Sequence, residues 1–139
     1  MSQRFIENCS KSDVFNGHHY DAGPNARLIR IQDPATEFGK IKYPFKEVYE
    51  FEFLDAEDED NLEDECKIQD DQAVEIVRLL QRAQENAMNV VVHCHAGICR
   101  SGAVVEVAEI MGFVPSDRYR QPNLRVKHKL MKVLGITYD

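Results

Sequence analysis

Several features of membrane, secreted and low-complexity proteins are missing from this 139-residue sequence. It has no run of about 18 apolar residues, so no membrane-spanning helix is predicted. Its start, MSQRFIENCSKS, lacks the hydrophobic stretch of a secretory signal, and we expect a cytoplasmic protein. Glycine (7) and proline (5) are few, and there is no internal repeat or low-complexity linker. The composition, 43% hydrophobic and 29% charged, is typical of one soluble globular domain, here spanning residues 1–139.

Basic residues are in deficit, with 17 Lys and Arg against 24 Asp and Glu and a net charge of −7. This balance argues against nonspecific binding of nucleic acid. The charge is uneven: eight of the eleven residues from Asp55 to Glu65 are acidic, and six basic residues lie between Arg118 and Lys132. We interpret most of the acidic run as a solvated loop. No long apolar stripe requires a second copy of the chain, and we expect a monomer.

The four cysteines do not form a recognisable disulfide or zinc pattern. A chain this rich in aliphatic residues needs no disulfide staples, and cytosolic thiols stay reduced. Only Cys94 and Cys99 are close in sequence, and no second Cys or His pair completes a four-ligand zinc site. Cys9 and Cys66 receive no role. Lone histidines in loops are interpreted as polar surface groups rather than ligands: His18, His19 and His95. We therefore expect no metal and no cofactor.

The periodicity of apolar residues predicts alternating strands and helices. Strands are predicted at RFIENCS, at ARLIRIQDP and at EVYEFEFLD, the last ending at Asp55. Helices are predicted at Gln69–Ala87, at the largely apolar Arg100–Met111 and after Pro122, and the segments KSDVFNGHHYDAGPN and FVPSDRYRQ are predicted as loops. The β-branched run Val90–His93 suits a strand buried on both faces. Together they predict an α/β fold: a single domain with a central, mostly parallel sheet of about four to five strands, flanked by helices.

The informative stretch is VVVHCHAGICRSGAVV, from Val90 to Val105. A buried strand leads into a loop, and a buried helix follows at once. Such a junction points loop amides and a helix N-terminus at one place, which favours oxyanions, phosphate above all. Gly97 gives the loop a residue free to take positive φ. Arg100 offers a planar fork for two phosphate oxygens, and these positive surroundings favour a thiolate at Cys94, which would be a nucleophile facing phosphorus.

The sequence HCHAGICRS resembles the signature loop of the cysteine-dependent protein tyrosine phosphatase superfamily: His-Cys, five residues, Arg, then Ser or Thr. In size and motif order it resembles the compact dual-specificity phosphatase group, whose loop differs only where Cys99 replaces Ser. The resemblance implies that fold and a phosphocysteine intermediate on Cys94, with Arg100 binding phosphate. It further implies that Ser101 stabilises the leaving thiolate and that His93 orders the loop and favours ionisation of the nucleophile. The implied phosphate-binding backbone is that of His95, Ala96, Gly97, Ile98, Cys99 and Arg100.

The resemblance also implies a general acid, an upstream aspartate that protonates the leaving oxygen and later activates water. Asp55 is favoured because it directly follows the third predicted strand, and active-site loops gather at strand ends of parallel sheets. Asp58 is the alternative. Cys99 has two open interpretations: a small loop residue without a redox role, or a resolving thiol that forms a reversible disulfide with Cys94.

These observations predict a phosphatase whose partner is a phosphorylated protein. Phosphotyrosine is the expected substrate, and a short chain with a shallow cup would also admit phosphoserine and phosphothreonine. An RNA 5′-phosphatase or a phosphoinositide phosphatase is an alternative, but the five residues HAGIC include no Lys or Arg. A catalytically silent phosphate-binding module is another, although Cys94 and Arg100 are both retained. A rhodanese-type sulfur transferase would normally lack the His-Cys … Arg-Ser pattern.

Overall fold

The computed structural model describes residues 4–17, 19 and 22–136. In chain order its elements are β1 (Phe5–Ser10), α1 (Lys11–Asn16), β2 (Ala26–Gln32), β3 (Glu47–Glu52), α2 (Asp70–Glu85), β4 (Asn89–Cys94), α3 (Arg100–Met111), β5 (Val114–Pro115) and α4 (Leu124–Val133). The strands form one sheet in the order β3-β2-β4-β1-β5, and every neighbouring pair is parallel. The predicted α/β fold, with a parallel sheet of four to five strands flanked by helices, is confirmed.

Strand β4 lies at the centre of the sheet because it is apolar on both faces. Val90, Val91 and Val92 are all buried, and β4 pairs with β1 on one side and β2 on the other. Parallel strands end at the same edge of a sheet, where ligand sites form. The register pairs Ser10 with Cys94. The carboxyl ends of β1, β2 and β4 therefore lie at the same edge of the sheet, and Cys94 is the last residue of β4.

The two faces of the sheet are covered unequally. Helices α2, α3 and α4 lie on one face, over a core that includes Ile29, Ile76 and Val104. The opposite face has a smaller core of Cys9, Val14, Leu28 and Val91, packed against Ala22, Ile41 and Phe45. Eight of the 12 residues of α3 are buried, as its apolar composition predicts. Among the described residues, no helix is both long and apolar enough to cross a membrane.

The third strand ends earlier than predicted. β3 stops at Glu52 rather than Asp55. The amide of Phe53 still donates to Gln32 O (3.0 Å), but the next amide, of Leu54, turns away from the sheet and donates to Cys66 O (2.7 Å). Asp55 therefore lies in a loop beyond the sheet edge.

Two short elements lie in segments that were predicted as loops. Helix α1 follows β1 because Ser10 caps it: the Ser10 hydroxyl accepts from Asp13 N (3.1 Å), and the Asp13 carboxylate accepts from Ser10 N (3.2 Å). Strand β5 pairs with Phe5 and Ile6 of β1. With six and two residues, these elements are too short to show a period in the sequence.

Candidate active site

The segment from Cys94 to Arg100, here called the signature loop, joins the end of β4 to the first turn of α3. Cys94 is 2% exposed and lies at the floor of the loop, whereas His95 and Ala96 are exposed at its mouth. Gly97 has a φ of +78°, which turns the chain back toward the helix. Strand, loop and helix thus have the arrangement that the sequence predicts for an oxyanion site.

Four carbonyl groups of the signature loop are bonded to the surrounding protein. Lys11 N donates to His95 O (3.2 Å), Asn8 Nδ2 to Gly97 O (2.8 Å), Gln121 N to Ile98 O (3.2 Å) and Asn123 N to Cys99 O (3.0 Å). Within the described part of the chain, no amide from His95 to Arg100 donates to a protein acceptor. Successive peptide N–H groups that are free while their carbonyls are engaged form a concave site for an anion.

The thiol of Cys94 lies next to the hydroxyl of Ser101. The two atoms, Sγ and Oγ, are 3.3 Å apart, and Ser101 is fully buried in the first turn of α3. A hydroxyl at this distance can donate to a thiolate. The structure thus brings together the predicted nucleophile and the residue predicted to stabilise it as a leaving group.

One nitrogen of the Arg100 guanidinium is hydrogen-bonded to the protein, and another has no acceptor among the described residues. Its Nη1 atom donates to Asp33 Oδ1 (2.7 Å) and to Phe53 O (2.8 Å), and its side chain is 6% exposed. Its Nε atom is buried and has no acceptor among the described residues. A buried, unpartnered donor is costly unless a ligand completes it. The guanidinium is therefore fixed through Nη1 and retains a donor for an oxyanion.

His93 connects the loop to a buried arginine. Arg30 Nε donates to His93 Nε2 (2.9 Å), which leaves the proton on Nδ1, 3.3 Å from Cys94 O. Burial lowers the pKa of His93 to about 4, so the imidazole is neutral at pH 7. His93 thus acts on the loop through hydrogen bonds, and the nearby positive charge belongs to Arg30.

Asp55 is joined to the loop through Asn123, whereas Asp58 is paired with Arg125. Asp55 Oδ1 accepts a hydrogen bond from Asn123 Nδ2 (2.7 Å), and Asn123 N donates to Cys99 O of the loop (3.0 Å). Burial, followed by the charge and the hydrogen bond of Asp55, raises the pKa of Cys99 to about 11. The Asp58 carboxylate instead pairs with Arg125 Nη1 (2.7 Å). Of the two candidate acids, Asp55 is the one joined to the signature loop, through Asn123.

Three supporting residues were not singled out from the sequence: Asn8, Arg30 and Asp33. Asn8 is buried in β1, and besides Gly97 O it bonds Tyr119 O (3.1 Å), so it links two segments to the strand. Asp33 follows the last residue of β2, and Arg30 faces β4 in register with His93. Asp33 could have been recognised from the sequence as a carboxylate at the end of a strand. The roles of Asn8 and Arg30 could not, because they depend on which strands are neighbours in the sheet.

A group of potential metal ligands lies on the other face of the sheet. Donor atoms of Glu7, Cys9 and His19 all lie within 4.8 Å of one another. The Glu7 carboxylate is already bonded by His19 Nδ1 (3.0 Å) and lies 3.5 Å from Arg118 Nε. Burial, and then the charges of Glu7 and Asp13, raise the pKa of Cys9, which keeps its thiol protonated. We assign no ligand to this group. His95 is exposed at the loop mouth, and His18 is outside the described residues.

The chain was compared with protein-family models, curated proteins and solved structures. No family model matches the chain, and no curated protein matches it. Among solved structures, it is similar to OH1 from the Orf virus, described as a tyrosine phosphatase with distinct structural features and triple substrate specificity. The two share 22% sequence identity and a TM-score of 0.48, over 73% of this chain and 53% of that one. The match spans about half of the viral chain.

Proposed function

We propose that this chain is a cysteine-dependent phosphatase that hydrolyses phosphorylated protein side chains through a phosphocysteine on Cys94. One observation carries the proposal. A buried thiol lies at the floor of a loop whose amides lack protein acceptors among the described residues, and Arg100 Nε, at the end of that loop, is buried and also lacks one. This combination suits a tetrahedral oxyanion with a nucleophile beneath it.

In the first step, the Cys94 thiolate attacks phosphorus in line with the bond to the leaving oxygen. Loop amides from His95 to Arg100, with the Arg100 guanidinium, hold the equatorial oxygens, where charge develops. The P–O bond to the side chain breaks as the P–S bond forms. Asp55, protonated, gives its proton to the leaving oxygen.

In the second step, the Asp55 carboxylate takes a proton from water while the water oxygen attacks phosphorus. The P–S bond breaks, phosphate leaves and the Cys94 thiolate is restored. The Ser101 hydroxyl, 3.3 Å from Cys94 Sγ, donates to that thiolate and makes it a better leaving group.

The proposed substrate is phosphotyrosine in a protein, with phosphoserine and phosphothreonine as further substrates. The mouth of the loop is formed by exposed His95 and Ala96, which suits a shallow cup. RNA 5′-phosphate and phosphoinositide remain alternatives, and the retained Cys94 and Arg100 argue against a silent binding module. The proposal places the whole of residues 1–139 in one phosphatase domain, acting as a cytoplasmic monomer that needs no cofactor.

The test is hydrolysis of p-nitrophenyl phosphate in EDTA by the wild type and by Cys94→Ser. We expect turnover by the wild type and none by Cys94→Ser, which should still bind phosphate because the loop amides are unchanged. Asp55→Asn should lower activity by about 100-fold for substrates with poor leaving groups, which need a general acid.

Asp58→Asn is the matched control, because it removes the same charge three residues away. It should retain near wild-type activity, since its carboxylate pairs with Arg125 rather than with the loop. A wild type that binds phosphate without turnover would indicate a binding module. Equal activity of Cys94→Ser and the wild type would exclude the proposed nucleophile.

A further inference from the structure

We infer that Lys67 and Glu57 are positioning residues that hold Asp55 at the signature loop before any substrate arrives. The inference rests on the function proposed above and adds how its general acid is placed. It starts from a buried cation that the reaction does not use: Lys67 is 2% exposed, although lysine is almost never fully buried without partners.

The segment from Asp55 to Cys66 forms a loop that closes on itself. Leu54 N donates to Cys66 O (2.7 Å) and joins the two ends of the loop. Lys67, the residue that follows this loop, donates from Nζ to two carbonyl groups inside it, Asp58 O (3.1 Å) and Asp60 O (2.9 Å). A buried ammonium group without hydrogen-bond acceptors is unfavourable, because it has lost its hydration. The hydrogen bonds to these two carbonyls offset that cost. Lys67 therefore fixes the backbone at Asp58 and Asp60, in the loop that begins at Asp55.

Glu57 fastens the same loop to the start of α4. Its two carboxylate oxygens accept from Leu124 N (2.8 Å) and from Arg125 N (2.9 Å). These amides belong to the first turn of the helix, where backbone donors lack helical partners and a negative charge is favoured by the helix dipole. A bidentate, charge-assisted contact of this kind fixes both the position and the orientation of residue 57.

Asp55 is two residues away and is tied to the same helix end. Asn123, the N-cap of α4, donates from Nδ2 to Asp55 Oδ1 (2.7 Å) and to Ala56 O (3.2 Å), while its Oδ1 caps Val126 N (3.0 Å). Lys67 and Glu57 hold the backbone that Asn123 reaches. A misplacement of about 1 Å can cost 100-fold in rate, so anchoring this backbone is expected to affect proton transfer.

The test separates proton donation from general stability by changing the leaving group. Phenyl phosphate has a poor leaving group that needs the acid, whereas p-nitrophenyl phosphate has a good one that needs it much less. For Lys67→Met we expect kcat/KM, which reports formation of the phosphocysteine, to fall about tenfold more on phenyl phosphate than on p-nitrophenyl phosphate, a fraction of the general-acid effect. Lys132→Met, an exposed lysine in the last turn of α4, is the matched control and should change neither rate.

Glu57→Ala provides an independent variant that leaves the buried Lys67 in place, with the exposed Glu109→Ala as its control. We expect the same selective loss on phenyl phosphate, and this variant decides the question if Lys67→Met fails to fold by circular dichroism. Equal losses in kcat/KM on both esters, or no loss in either folded variant, would overturn the positioning role while leaving the phosphatase intact. A wild type that hydrolyses neither ester would overturn the proposed function, and this inference with it.

Discussion

Gly97 shows how closely the signature loop approaches the end of β1. Its φ is +78°, and a Cβ atom at this position would lie 2.3 Å from Cys9 C and 2.5 Å from both Cys9 O and Ser10 N. These are backbone atoms of a central strand, which cannot move aside as a flexible side chain would. The loop therefore has two reasons to contain glycine here, its conformation and the space available.

Comparing Gly97→Ala with the control Gly135→Ala distinguishes the cost of a positive φ from the cost of a steric clash with β1. Gly135 has nearly the same φ, +76°, but a Cβ atom added there would meet no described atom within 4 Å, so both variants incur the conformational cost and only one incurs a clash. We expect Gly97→Ala to lower the free energy of unfolding by about 1–3 kcal/mol more than the control does. It should also weaken vanadate binding. Equal urea denaturation midpoints and equal vanadate affinity would show that the contact is unimportant.

Cys99 bears on the open question of a disulfide with Cys94. In that reaction peroxide converts the Cys94 thiolate to a sulfenic acid, and the Cys99 thiolate attacks that sulfur and displaces hydroxide, which takes up a proton to give water. Because the pKa of Cys99 is raised to about 11, only roughly one thiol in ten thousand is ionised at pH 7. Below that pKa, the ionised fraction rises about tenfold with each unit of increasing pH.

We therefore expect disulfide formation to be slow at pH 7 and faster at pH 9. Mass spectrometry after peroxide treatment should show mostly sulfinic acid on Cys94 at the lower pH and a growing disulfide fraction at the higher one. Asp55→Asn removes a charge that raises the Cys99 pKa and should increase the disulfide fraction at a given pH. Cys99→Ser provides the baseline. A disulfide yield that does not depend on pH would contradict this account.

At the scale of elements, the unit formed by β4, the signature loop and α3 could be predicted from sequence because it is local. Cys94, Arg100 and Ser101 lie within eight consecutive residues, and a β-branched strand and an apolar helix on either side determine their placement. The ends of the long elements were also predictable to within a few residues. Helix α2, for example, runs from Asp70 to Glu85 inside the predicted 69–87.

Residues that support the loop from other elements could not be predicted in this way. Asn8 contacts Gly97 because β1 pairs with β4, and Asp33 contacts Arg100 because β2 pairs with β4 on the other side. Strand order is a property of the packed sheet and does not appear in the pattern of any one strand. Lys67 is a similar case, since a lysine in an acidic sequence is ordinarily solvated, and its burial follows only from the closed loop.

For the whole molecule, the topology places some acidic side chains in the loop that follows Asp55 and others at the opposite end of the sheet. The signature loop lies at the carboxyl end of β4, so the last turns of α2 and α3 lie toward the opposite end of the sheet. Glu85 and Glu109 are exposed there, whereas Glu59 and Glu63 are exposed in the loop that follows Asp55. With a net charge of −7, the protein repels small dianions, most strongly from charges near the cup.

Ionic strength should therefore change substrate capture in a position-dependent way. For p-nitrophenyl phosphate, we expect kcat/KM of the wild type to rise as salt shortens the screening length to about 8–10 Å, with little change in kcat. Glu59→Gln combined with Glu63→Gln should raise kcat/KM at low salt and flatten this dependence. Glu85→Gln combined with Glu109→Gln makes the same change in net charge far from the cup and should leave the dependence nearly intact. If kcat/KM depends on salt identically in the two double variants, Glu59 and Glu63 affect substrate capture no more than the distant acids do. If kcat/KM of the wild type falls with salt, the positive charge at the cup attracts the substrate more strongly than the net charge repels it.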